Sequence, residues 1–445
     1  MIGLNKKVLL IIIVIVIIGC KVTDNSLNQN VNSIEANFQH NKVINYGISD
    51  IGRVSLDDIF PVMATGGLRF IRTEFRWNYI EREQGEFHFD YYDKIVSKAT
   101  ENGIKILAVL AYGTPWASKM GERVGSDKFV PDKFDDYQNY VSKVVNRYKD
   151  KIKNWEIWNE PNGAYRFYRP GLVGDPKSYG YLLKAGYRGV KQSCPLCKII
   201  FGGLFYHQEL IMGAETFLEN IILFHPDIGD YFDIFAFHPY SFYPPSSPPE
   251  SDNFPEVPVT QMITNIRNIL QKNNILKPIW INEIGWPSYV ISEISQASYL
   301  VRSFVLSYVA GAEMYLWYTF IEQNIDTATA PPEATFGLFK YKDYCYTGQL
   351  TPKLSWMAYK NVVDILGNTT FSGNCTNVEY NPDFQYAYKF TSETDNICVI
   401  WQVQNNSTTV KIKDIDNFAI KDIFGKIINV IKVNDKPLFV IWKRR

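Results

Sequence analysis

The hydrophobic pattern of the chain changes at about residue 42 and again at about residue 366. Between these positions, short apolar runs alternate with longer amphipathic segments, which is typical of repeated β/α units around a parallel sheet. Eight runs predict strands, and eight parallel strands suggest a closed barrel. The predicted strands are Val43–Ser49, Leu68–Arg72, Ile104–Leu110, Trp155–Asn159, Ile199–Gly203, Phe232–Phe237, Pro278–Asn282 and Met314–Tyr318.

The amphipathic segments between these runs predict helices with one apolar face. They include Tyr91–Asn102, Phe134–Lys149, Pro176–Gln192, Val259–Lys272, Ser295–Ala310 and Leu354–Leu366. We therefore predict an α/β fold in which residues 42–366 form a (β/α)8 TIM barrel. Each unit takes about 41 residues, which is longer than in a typical barrel of about 250 residues. We assign the excess to long loops.

After Leu366 the pattern consists of short alternating runs, which predict antiparallel strands. These are Tyr386–Phe390, Ile397–Gln402, Thr409–Ile412, Ile427–Val433 and Leu438–Trp442. Residues 367–445 are expected to form a small antiparallel β-sandwich. Such a domain is either a carbohydrate-binding module or, as we favour, an accessory domain that braces the barrel.

The N-terminal segment has the pattern of an export signal. Lys6 and Lys7 precede an apolar run, Val8–Ile18, that is too short to span a bilayer, and Gly19 and Cys20 follow it. Residues 17–20 resemble a bacterial lipobox, which implies a signal peptide over residues 1–20 and a lipid anchor at Cys20. The protein would then lie in the cell envelope, outside the cytoplasm. An ordinary signal peptide or an uncleaved signal anchor is the alternative, and the polar residues 21–41 predict a flexible tether.

Composition limits the classes of partner. The 445 residues include 46 basic and 46 acidic ones, and no long basic run occurs, so we predict no binding of nucleic acid. Aromatic residues make up 15% of the chain. Most of them are expected in the core, but Trp and Tyr in loops can stack on the apolar faces of sugars.

Two glutamates each follow a strand-like apolar run. Glu160 lies in Trp158-Asn159-Glu160-Pro161, and Glu283 follows Ile281-Asn282, 123 residues later. This distance corresponds to three units of about 41 residues, which assigns the glutamates to the fourth and seventh strands. The C-terminal ends of barrel strands meet at one face, so the two carboxyl groups should face one another. Such a pair is what cleavage of a glycosidic bond requires.

Five motifs in this order resemble the clan A (β/α)8 retaining glycoside hydrolases. They are Arg72 with Trp77 after strand 2, Asn159-Glu160-Pro161 after strand 4, His238-Pro239-Tyr240 after strand 6, Glu283 after strand 7 and Trp317 on strand 8. Within this clan, the strings at residues 77–81 and 112–117 are most similar to glycoside hydrolase family 39. Family 5 is the close rival, because residues 283–287 also resemble its nucleophile string. The resemblance covers most of residues 43–366.

The resemblance implies a glycosidase that acts by double displacement, and the export signal implies that it acts outside the cytoplasm. Glu160 would be the acid/base and Glu283 the nucleophile, with their carboxyl groups about 5–5.5 Å apart. We expect Glu160 to be held protonated by its apolar surroundings and by the charge of Glu283. The substrate would be an oligo- or polysaccharide, as for β-xylosidases or exopolysaccharide endoglycosidases. The sugar, and exo or endo action, remain open.

Seven further residues are expected to support the chemistry: Arg72, Trp116, Asn159, His238, Tyr240, Trp286 and Trp317. Arg72 would keep Glu283 ionised, although an isolated arginine here could equally pair with Glu74. Tyr240 would orient the carboxylate of Glu283, and Asn159 would bind the sugar 2-hydroxyl.

The remaining four line the pocket in this prediction. His238 would lie near the nucleophile, Trp317 and Trp286 would form the floor and wall of the −1 subsite, and Trp116 would lie farther out.

Other classes fit less well. The five histidines (His40, His88, His207, His225 and His238) show no HxH or HExxH spacing, so we predict no metal and no cofactor. The alternative function is a surface lipoprotein that binds sugars on a catalytically degenerate barrel. Activity on aryl glycosides, compared with simple retention on polysaccharide columns, would distinguish them. We expect a monomer.

Cysteine pairing is left open by the sequence. Apart from Cys20, the cysteines are Cys194, Cys197, Cys345, Cys375 and Cys398, and an odd count leaves one unpaired. Cys194 and Cys197 would form a local disulfide or remain thiols, and a bridge between Cys375 and Cys398 is plausible outside the cell.

Overall fold

The computed structural model describes residues 42–444, except 53–54, 164, 170–173, 207–211, 241, 254, 323–331, 342–349 and 405. The predictions for residues 1–41, including Cys20, and for His207 and Cys345 therefore lie outside the described residues. Within the described ranges, no helix is both long and apolar enough to cross a bilayer.

Nine strands form one parallel sheet that closes into the predicted barrel. They are β1 (Asn45–Ser49), β2 (Phe70–Arg76), β3 (Lys105–Ala111), β4 (Asn154–Ile157), β5 (Lys198–Phe201), β6 (Leu204–Phe205), β7 (Phe235–His238), β8 (Ile279–Ile284) and β9 (Met314–Tyr318). Their order is β5-β4-β3-β2-β1-β9-β8-β7-β6. Gly202 and Gly203 divide β5 from β6, which together occupy the fifth of eight barrel positions. The ring closes where the Phe201 N–H donates to the Ile234 carbonyl, at 2.9 Å.

The barrel interior is filled by apolar side chains from many strands. This interior cluster consists of Phe70, Leu107, Ile200, Ile234, Ala236, Trp280, Met314 and Leu316. Side chains alternate between the two faces of a strand. Residues two positions after a member of this cluster therefore also face the barrel interior, one layer nearer the C-terminal ends of the strands. Arg72 is two residues beyond Phe70, and Tyr318 is two beyond Leu316.

Ten helices cover the barrel or connect its strands in the described part of the chain. They are α1 (Leu56–Thr65), α2 (Trp77–Ile80), α3 (Asp90–Glu101), α4 (Lys119–Val124), α5 (Phe134–Tyr148), α6 (Pro176–Ser193), α7 (Ala214–Phe224), α8 (Val259–Lys272), α9 (Glu293–Val309) and α10 (Leu354–Leu366). A short hairpin, β10 (Phe339–Tyr341) with β11 (Leu350–Pro352), precedes α10. In α5, the buried residues recur at helical spacing, and the Tyr137 hydroxyl donates to the Leu110 carbonyl of β3 at 2.6 Å.

The C-terminal region is a sheet with both faces covered. Its strands are β12 (Thr370–Asn374), β13 (Gln385–Thr391), β14 (Asp395–Gln402), β15 (Thr408–Thr409), β16 (Phe418–Lys421), β17 (Ile427–Ile428), β18 (Lys432–Val433) and β19 (Leu438–Lys443). Six of them form an antiparallel sheet in the order β12-β13-β14-β19-β16-β17, and β15 pairs with β18 as a separate ribbon. On β14, Val399 and Trp401 pack with the barrel core, whereas Cys398 and Ile400 pack beneath the ribbon.

The predicted fold class, a (β/α)8 barrel followed by a small antiparallel β region, is confirmed. Several C-terminal elements differ. The predicted strand Ile427–Val433 is two short strands that pair with different partners, and the predicted strand Thr409–Ile412 is reduced to Thr408–Thr409. The strands Thr370–Asn374 and Phe418–Lys421 were not predicted. Disulfides join Cys194 to Cys197 and Cys375 to Cys398.

Candidate active site

A buried ion pair lies one level above the interior cluster. Arg72 of β2 donates from Nε and Nη2 to the two carboxylate oxygens of Glu156 on β4, each at 2.8 Å. Nη1 donates to the Ser49 hydroxyl at 3.2 Å and to Glu283 Oε2 at 3.4 Å. Arg72 therefore contacts the predicted nucleophile, as expected, but its main partner is a carboxylate that sequence reasoning did not select.

The segment after β4 turns Glu160 into the barrel mouth. Trp158 and Glu160 have positive φ values of 70° and 49°, which side chains other than glycine rarely adopt. The conformation is held by neighbours: Trp158 Nε1 donates to the Arg166 carbonyl at 2.8 Å, and the Glu160 N–H donates to the Gly203 carbonyl at 3.0 Å. Strained backbone of this kind is often found at functional sites.

Glu283 reaches the same space from β8. The pairing of β8 with β9 shifts by one residue between Ile281 and Ile284, and this bulge redirects the Glu283 side chain. Oxygen atoms of Glu160 and Glu283 and a ring nitrogen of His238 all lie within 4.8 Å of one another. The side chains of Glu160 and Glu283 are 12% and 15% exposed, so both are largely buried but not sealed from solvent.

His238, at the end of β7, lies between the two carboxylates. Its Nδ1 is 2.9 Å from Glu160 Oε1 and 3.8 Å from Glu283 Oε2. On the other side of Glu160, Arg166 Nε lies 3.4 Å from Oε2. His238 was expected near the nucleophile, whereas in the structure its closest contact is with the predicted acid.

These contacts give a pKa order opposite to the predicted one. Burial opposes ionisation of Glu160, but the hydrogen bond and charge of His238, with Arg166, lower the pKa of Glu160 below its ordinary value. Burial raises the pKa of Glu283; His238 and Arg72 counteract this, and the charge of Glu160 adds to it. The expectation that Glu160 is held protonated by Glu283 is therefore corrected, because His238 and Arg166 both face Glu160.

Asn159 is held on both sides of its amide. Its Oδ1 accepts from Arg72 Nη2 at 2.7 Å, and its Nδ2 donates to the Tyr112 hydroxyl at 2.8 Å. Tyr112 follows β3, so the amide connects three neighbouring barrel strands. The Nδ2 atom of Asn159 carries two N–H groups. One of them donates to Tyr112, and the other is used in neither of the two hydrogen bonds described here.

Tyr240 follows β7 and is 3% exposed. Burial and then the charge of Glu283 raise the pKa of Tyr240 well above its ordinary value, so its hydroxyl stays neutral. Within the described ranges that hydroxyl makes no hydrogen bond, so the expected contact with Glu283 is not formed. Tyr240 stacks on Phe205, with 5.6 Å between ring centroids.

The three predicted tryptophans lie in different surroundings. Trp317 is fully buried, donates from Nε1 to the Phe336 carbonyl at 3.1 Å and stacks on Trp286. Because Leu316 faces the barrel interior, alternation turns Trp317 outward toward the helices and Tyr318 toward the pocket. The structure therefore differs from the prediction that Trp317 forms the pocket floor.

The other two tryptophans are also held by hydrogen bonds. Trp286 is 4% exposed and donates to the Ser247 carbonyl at 2.8 Å. Trp116 is half-buried, donates to the Glu81 carbonyl at 3.0 Å and packs edge-on against Trp77.

Sequence reasoning missed Glu156, Gly203, Arg166 and Tyr318. Glu156 carried a signal, because a charge inside the apolar strand Trp155-Glu156-Ile157 needs a buried partner. Gly203 holds Glu156 through its N–H, at 2.9 Å, and Glu160 through its carbonyl. Arg166 and Tyr318 had no local sequence signal. The position of Arg166 depends on the path of the loop after β4, and the role of Tyr318 depends on which side of β9 faces the pocket.

The cluster of Glu160, His238 and Glu283 offers three atoms that could ligate a metal ion. Arg72 and Arg166 face these carboxylates at 3.4 Å and already supply positive charge. A divalent cation would have to enter beside two guanidinium groups, which is electrostatically unfavourable. The arrangement is better suited to one carboxylic acid and one carboxylate than to a metal ion.

Residues 71–169 match the model of glycosyl hydrolase family 10. This segment contains Arg72, Glu156, Asn159 and Glu160 but ends before Glu283. The chain is also similar to endo-1,4-beta-xylanase A of Phanerodontia chrysosporium, with 28% identity over 95 residues, or 20% of this chain and 22% of that protein. It spans roughly a fifth to a third of the length of the curated relatives it matches.

Solved structures are similar over most of the chain. A family 39 glycoside hydrolase of Bacteroides cellulosilyticus WH2 has a TM-score of 0.70 and 21% identity, covering 91% of this chain and 82% of that one. A monomeric beta-xylosidase of Caulobacter crescentus CB15 has a TM-score of 0.64 and 13% identity, covering 90% and 96%.

The fold and the paired carboxylates thus define a (β/α)8 barrel of the glycoside hydrolase type. The predicted resemblance to this clan is confirmed, and the similar folds include family 39 enzymes. All of these similar proteins are glycosidases, in agreement with the predicted class of enzyme.

Proposed function

We propose that this protein is a retaining glycoside hydrolase that cleaves oligo- or polysaccharides by double displacement. The observation that carries the proposal is the separation of the two carboxylates, whose oxygens lie within 4.8 Å. Retaining enzymes hold their carboxyl groups at about 5–5.5 Å, whereas inverting enzymes need about 6.5–9.5 Å to admit a water molecule. The β-xylosidase and xylanases to which the chain is similar support a β-xylosidase-like or endoglycosidase-like substrate range.

In the first step, Glu160 as an acid gives its proton to the glycosidic oxygen, and the carboxylate of Glu283 attacks the anomeric carbon. The bond to the leaving group breaks, and a covalent glycosyl ester forms on Glu283. In the second step, Glu160 as a carboxylate takes a proton from water, which attacks the anomeric carbon and releases Glu283. The sugar keeps its anomeric configuration because two inversions occur.

The neighbouring groups support this sequence. Arg72 favours the ionised state of Glu283 when it attacks, and Glu156 keeps the guanidinium in place. Asn159 can donate its second N–H to the sugar 2-hydroxyl, a contact that strengthens in the oxocarbenium-like transition state. Tyr240 and Tyr318 supply aromatic surface and buried hydroxyl groups to the −1 subsite, with Trp286 behind them.

The proton on Glu160 needs a specific explanation. A hydrogen bond donated by Nδ1–H of a charged His238, together with the charge of Arg166, lowers the pKa of Glu160 against the effect of burial. The proposed acid role therefore requires His238 to be neutral and to present its Nδ1 lone pair to Glu160. A hydrogen bond from the carboxylic acid to that lone pair favours the protonated form.

Product stereochemistry tests the mechanism. We expect hydrolysis of nitrophenyl glycosides, with β-xylosides tried first, to release a sugar of unchanged anomeric configuration, as followed by proton NMR. Glu283→Ala should lose at least several orders of magnitude in kcat, whereas Glu313→Ala, which removes a carboxylate at the opposite end of the barrel, should not. An inverted product, or near-normal hydrolysis by Glu283→Ala, would contradict the proposal.

Azide distinguishes the two glutamates. In Glu160→Ala it should attack the glycosyl ester and give a glycosyl azide of retained configuration. In Glu283→Ala it should take the place of the nucleophile and give the inverted azide. The same azide product from both variants would contradict the two roles. If neither the wild type nor any variant turns over substrate but polysaccharide still binds, the sugar-binding alternative is favoured.

We also propose that the protein is a monomer held at the cell envelope by a lipid on Cys20. The basic Lys6-Lys7 pair, the apolar run and the lipobox-like residues 17–20 support the anchor. The similar beta-xylosidase described as monomeric supports the oligomeric state. In a bacterial host, Cys20→Ser should abolish labelling with radioactive palmitate and release the protein from membranes. Unchanged labelling would exclude Cys20 as the lipidated residue.

A further inference from the structure

Three buried polar atoms meet beside Gly203. His238 Nε2 and both amide atoms of Asn282 are buried and have no hydrogen-bond partner among the residues that the structure describes. A Cβ placed on Gly203 would lie 2.3 Å from His238 Nε2 and 3.0 Å from Asn282 Oδ1. The ring nitrogen and the amide oxygen therefore both lie beside the Cα of this glycine, and only glycine leaves room for both.

Buried polar atoms are rarely left without partners, and these two are complementary if the nitrogen carries a hydrogen. Donation from Nε2–H to Oδ1 satisfies both atoms, either directly after a small rotation or through one water molecule. A neutral imidazole carries one hydrogen, so a hydrogen on Nε2 leaves a lone pair on Nδ1. That Nδ1 is the atom 2.9 Å from Glu160.

We infer that Asn282 is a positioning residue that fixes the tautomer of His238, so that Nδ1 accepts the acid proton of Glu160. The inference rests on the proposed function, and it supplies the neutral, accepting His238 that the acid role of Glu160 requires. When Glu160 protonates the leaving oxygen, its hydrogen bond to Nδ1 is lost and the ring keeps its own hydrogen on Nε2. When Glu160 takes a proton from water in the second step, that hydrogen bond forms again.

Other groups around Glu160 and His238 act on the same proton. Arg166 and Glu283 contact the pair directly. Arg72 of β2, Tyr112 after β3 and Tyr240 after β7 interact with Glu160 electrostatically, and Glu156 of β4 holds Arg72. Arg72 and Arg166 favour the carboxylate of Glu160, and Glu283 favours the acid. None of these groups is described in contact with Nε2, so the choice of tautomer falls to Asn282.

The test compares two substitutions of opposite character. Asn282→Leu removes the acceptor for Nε2–H, so the Nε2–H tautomer of His238 is no longer favoured. The ring can then carry its hydrogen on Nδ1, donate it to Glu160 and stabilise the carboxylate. The basic limb of the kcat/KM profile should then move to lower pH by about one unit. Asn282→Asp keeps an acceptor and adds negative charge, so the same limb should stay in place or move to higher pH. A merely structural role would affect both variants in the same direction.

A spectroscopic readout is independent of turnover. NMR spectra of the full chain with 15N-labelled histidine report the tautomer of His238, whose ring-nitrogen signals are assigned because they are missing in His238→Gln. The wild type should show hydrogen on Nε2 and a lone pair on Nδ1. Asn282→Leu should shift the ring toward the Nδ1–H tautomer, and Asn273→Ala, at the exposed end of α8, should leave it unchanged. Circular dichroism would confirm that each variant is folded.

The outcomes separate this inference from the proposed function. If the wild type hydrolyses glycosides with retention but His238 carries hydrogen on Nδ1, or on both nitrogens, the inference fails and the function stands. A basic limb that shifts equally in Asn282→Leu and Asn282→Asp would also overturn it. If no glycoside is cleaved, the function fails and the tautomer measurement still decides the role of Asn282.

Discussion

Arg72 and Glu156 form a bidentate ion pair in the barrel interior, with both nitrogen–oxygen distances at 2.8 Å. The arginine side chain is 6% exposed and that of the glutamate is fully buried. The pair lies directly beneath the carboxylates, because Arg72 also contacts Glu283 and Asn159. Glu156 thus orients the guanidinium that in turn contacts the reacting groups.

We expect Glu156→Leu to be strongly destabilising. It leaves the Arg72 guanidinium buried without its main partner, which typically costs about 3–5 kcal/mol. The double variant Arg72→Met/Glu156→Leu removes both charges and should recover much of that stability, although not activity. Urea unfolding of the two single variants and the double variant measures the coupling. Additive losses would indicate that the two charges do not depend on each other.

The two carboxylates are expected to affect stability in opposite directions. The pKa of Glu283 is raised in the folded protein, so its ionisation costs stability as pH rises above the unfolded value of about 4.3. When Nδ1–H of His238 donates to Glu160, the pKa of Glu160 is lowered, so its ionisation adds stability above that unfolded value, and this stability is lost as pH falls through the folded pKa.

Glu283→Gln should therefore stabilise the protein at pH 7, by on the order of 1 kcal/mol, and the gain should shrink toward pH 4. In the Asn282→Leu background, where Nδ1–H of His238 is expected to donate to Glu160, Glu160→Gln should destabilise the protein at pH 7, again with a smaller effect at low pH. Denaturant unfolding at several pH values measures both effects. A loss of stability in both variants at pH 7 would contradict the stated pKa directions.

Tyr318 and Trp317 are neighbours on β9 with opposite roles. Tyr318→Ala should lower kcat/KM by about tenfold, the equivalent of roughly 1.4 kcal/mol, because Tyr318 faces the pocket. Trp317→Phe should lose the hydrogen bond to Phe336, worth about 1 kcal/mol of stability, with little change in kcat/KM. Steady-state kinetics and thermal unfolding of both variants check this. The reverse result would mean that Trp317 lines the subsite after all.

The C-terminal sheet is expected to hold the loop after β7 in place. Glu250 of that loop forms a buried bidentate ion pair with Arg302 of α9 and accepts from Trp401 Nε1 of β14 at 2.7 Å. Arg302→Met leaves the Glu250 carboxylate unpaired and should cost about 3–5 kcal/mol.

Trp401→Phe should cost about 1 kcal/mol and raise KM, because the same loop carries Tyr240 and contacts Trp286. Arg147→Met is the matched control, because it breaks an exposed pair with Asp93 that is worth less than about 1 kcal/mol. Equal stability losses in Arg302→Met and Arg147→Met would exclude the bracing role.

Much of the barrel could be predicted because its signals are local. A strand that is buried on both faces has a continuous run of apolar residues. A helix on the outside of the barrel has apolar residues along one face only. The strand Met314–Tyr318 has the predicted bounds, and α5 differs from its predicted helix by one residue at its end. The split of Ile427–Val433 could not be predicted, because β17 and β18 differ only in their partner strands.

The sequence by itself determined which residue types were available and on which strands they lie, because strand spacing orders the chain around the barrel. Only the tertiary structure decided which side of a strand a side chain faces and which charge lies beside it. The bulge in β8 turns Glu283 inward, and the glycine at 203 lets His238 approach Glu160. These are contacts between residues 78 or more positions apart, and a pKa follows such distances rather than the order of residues in the chain.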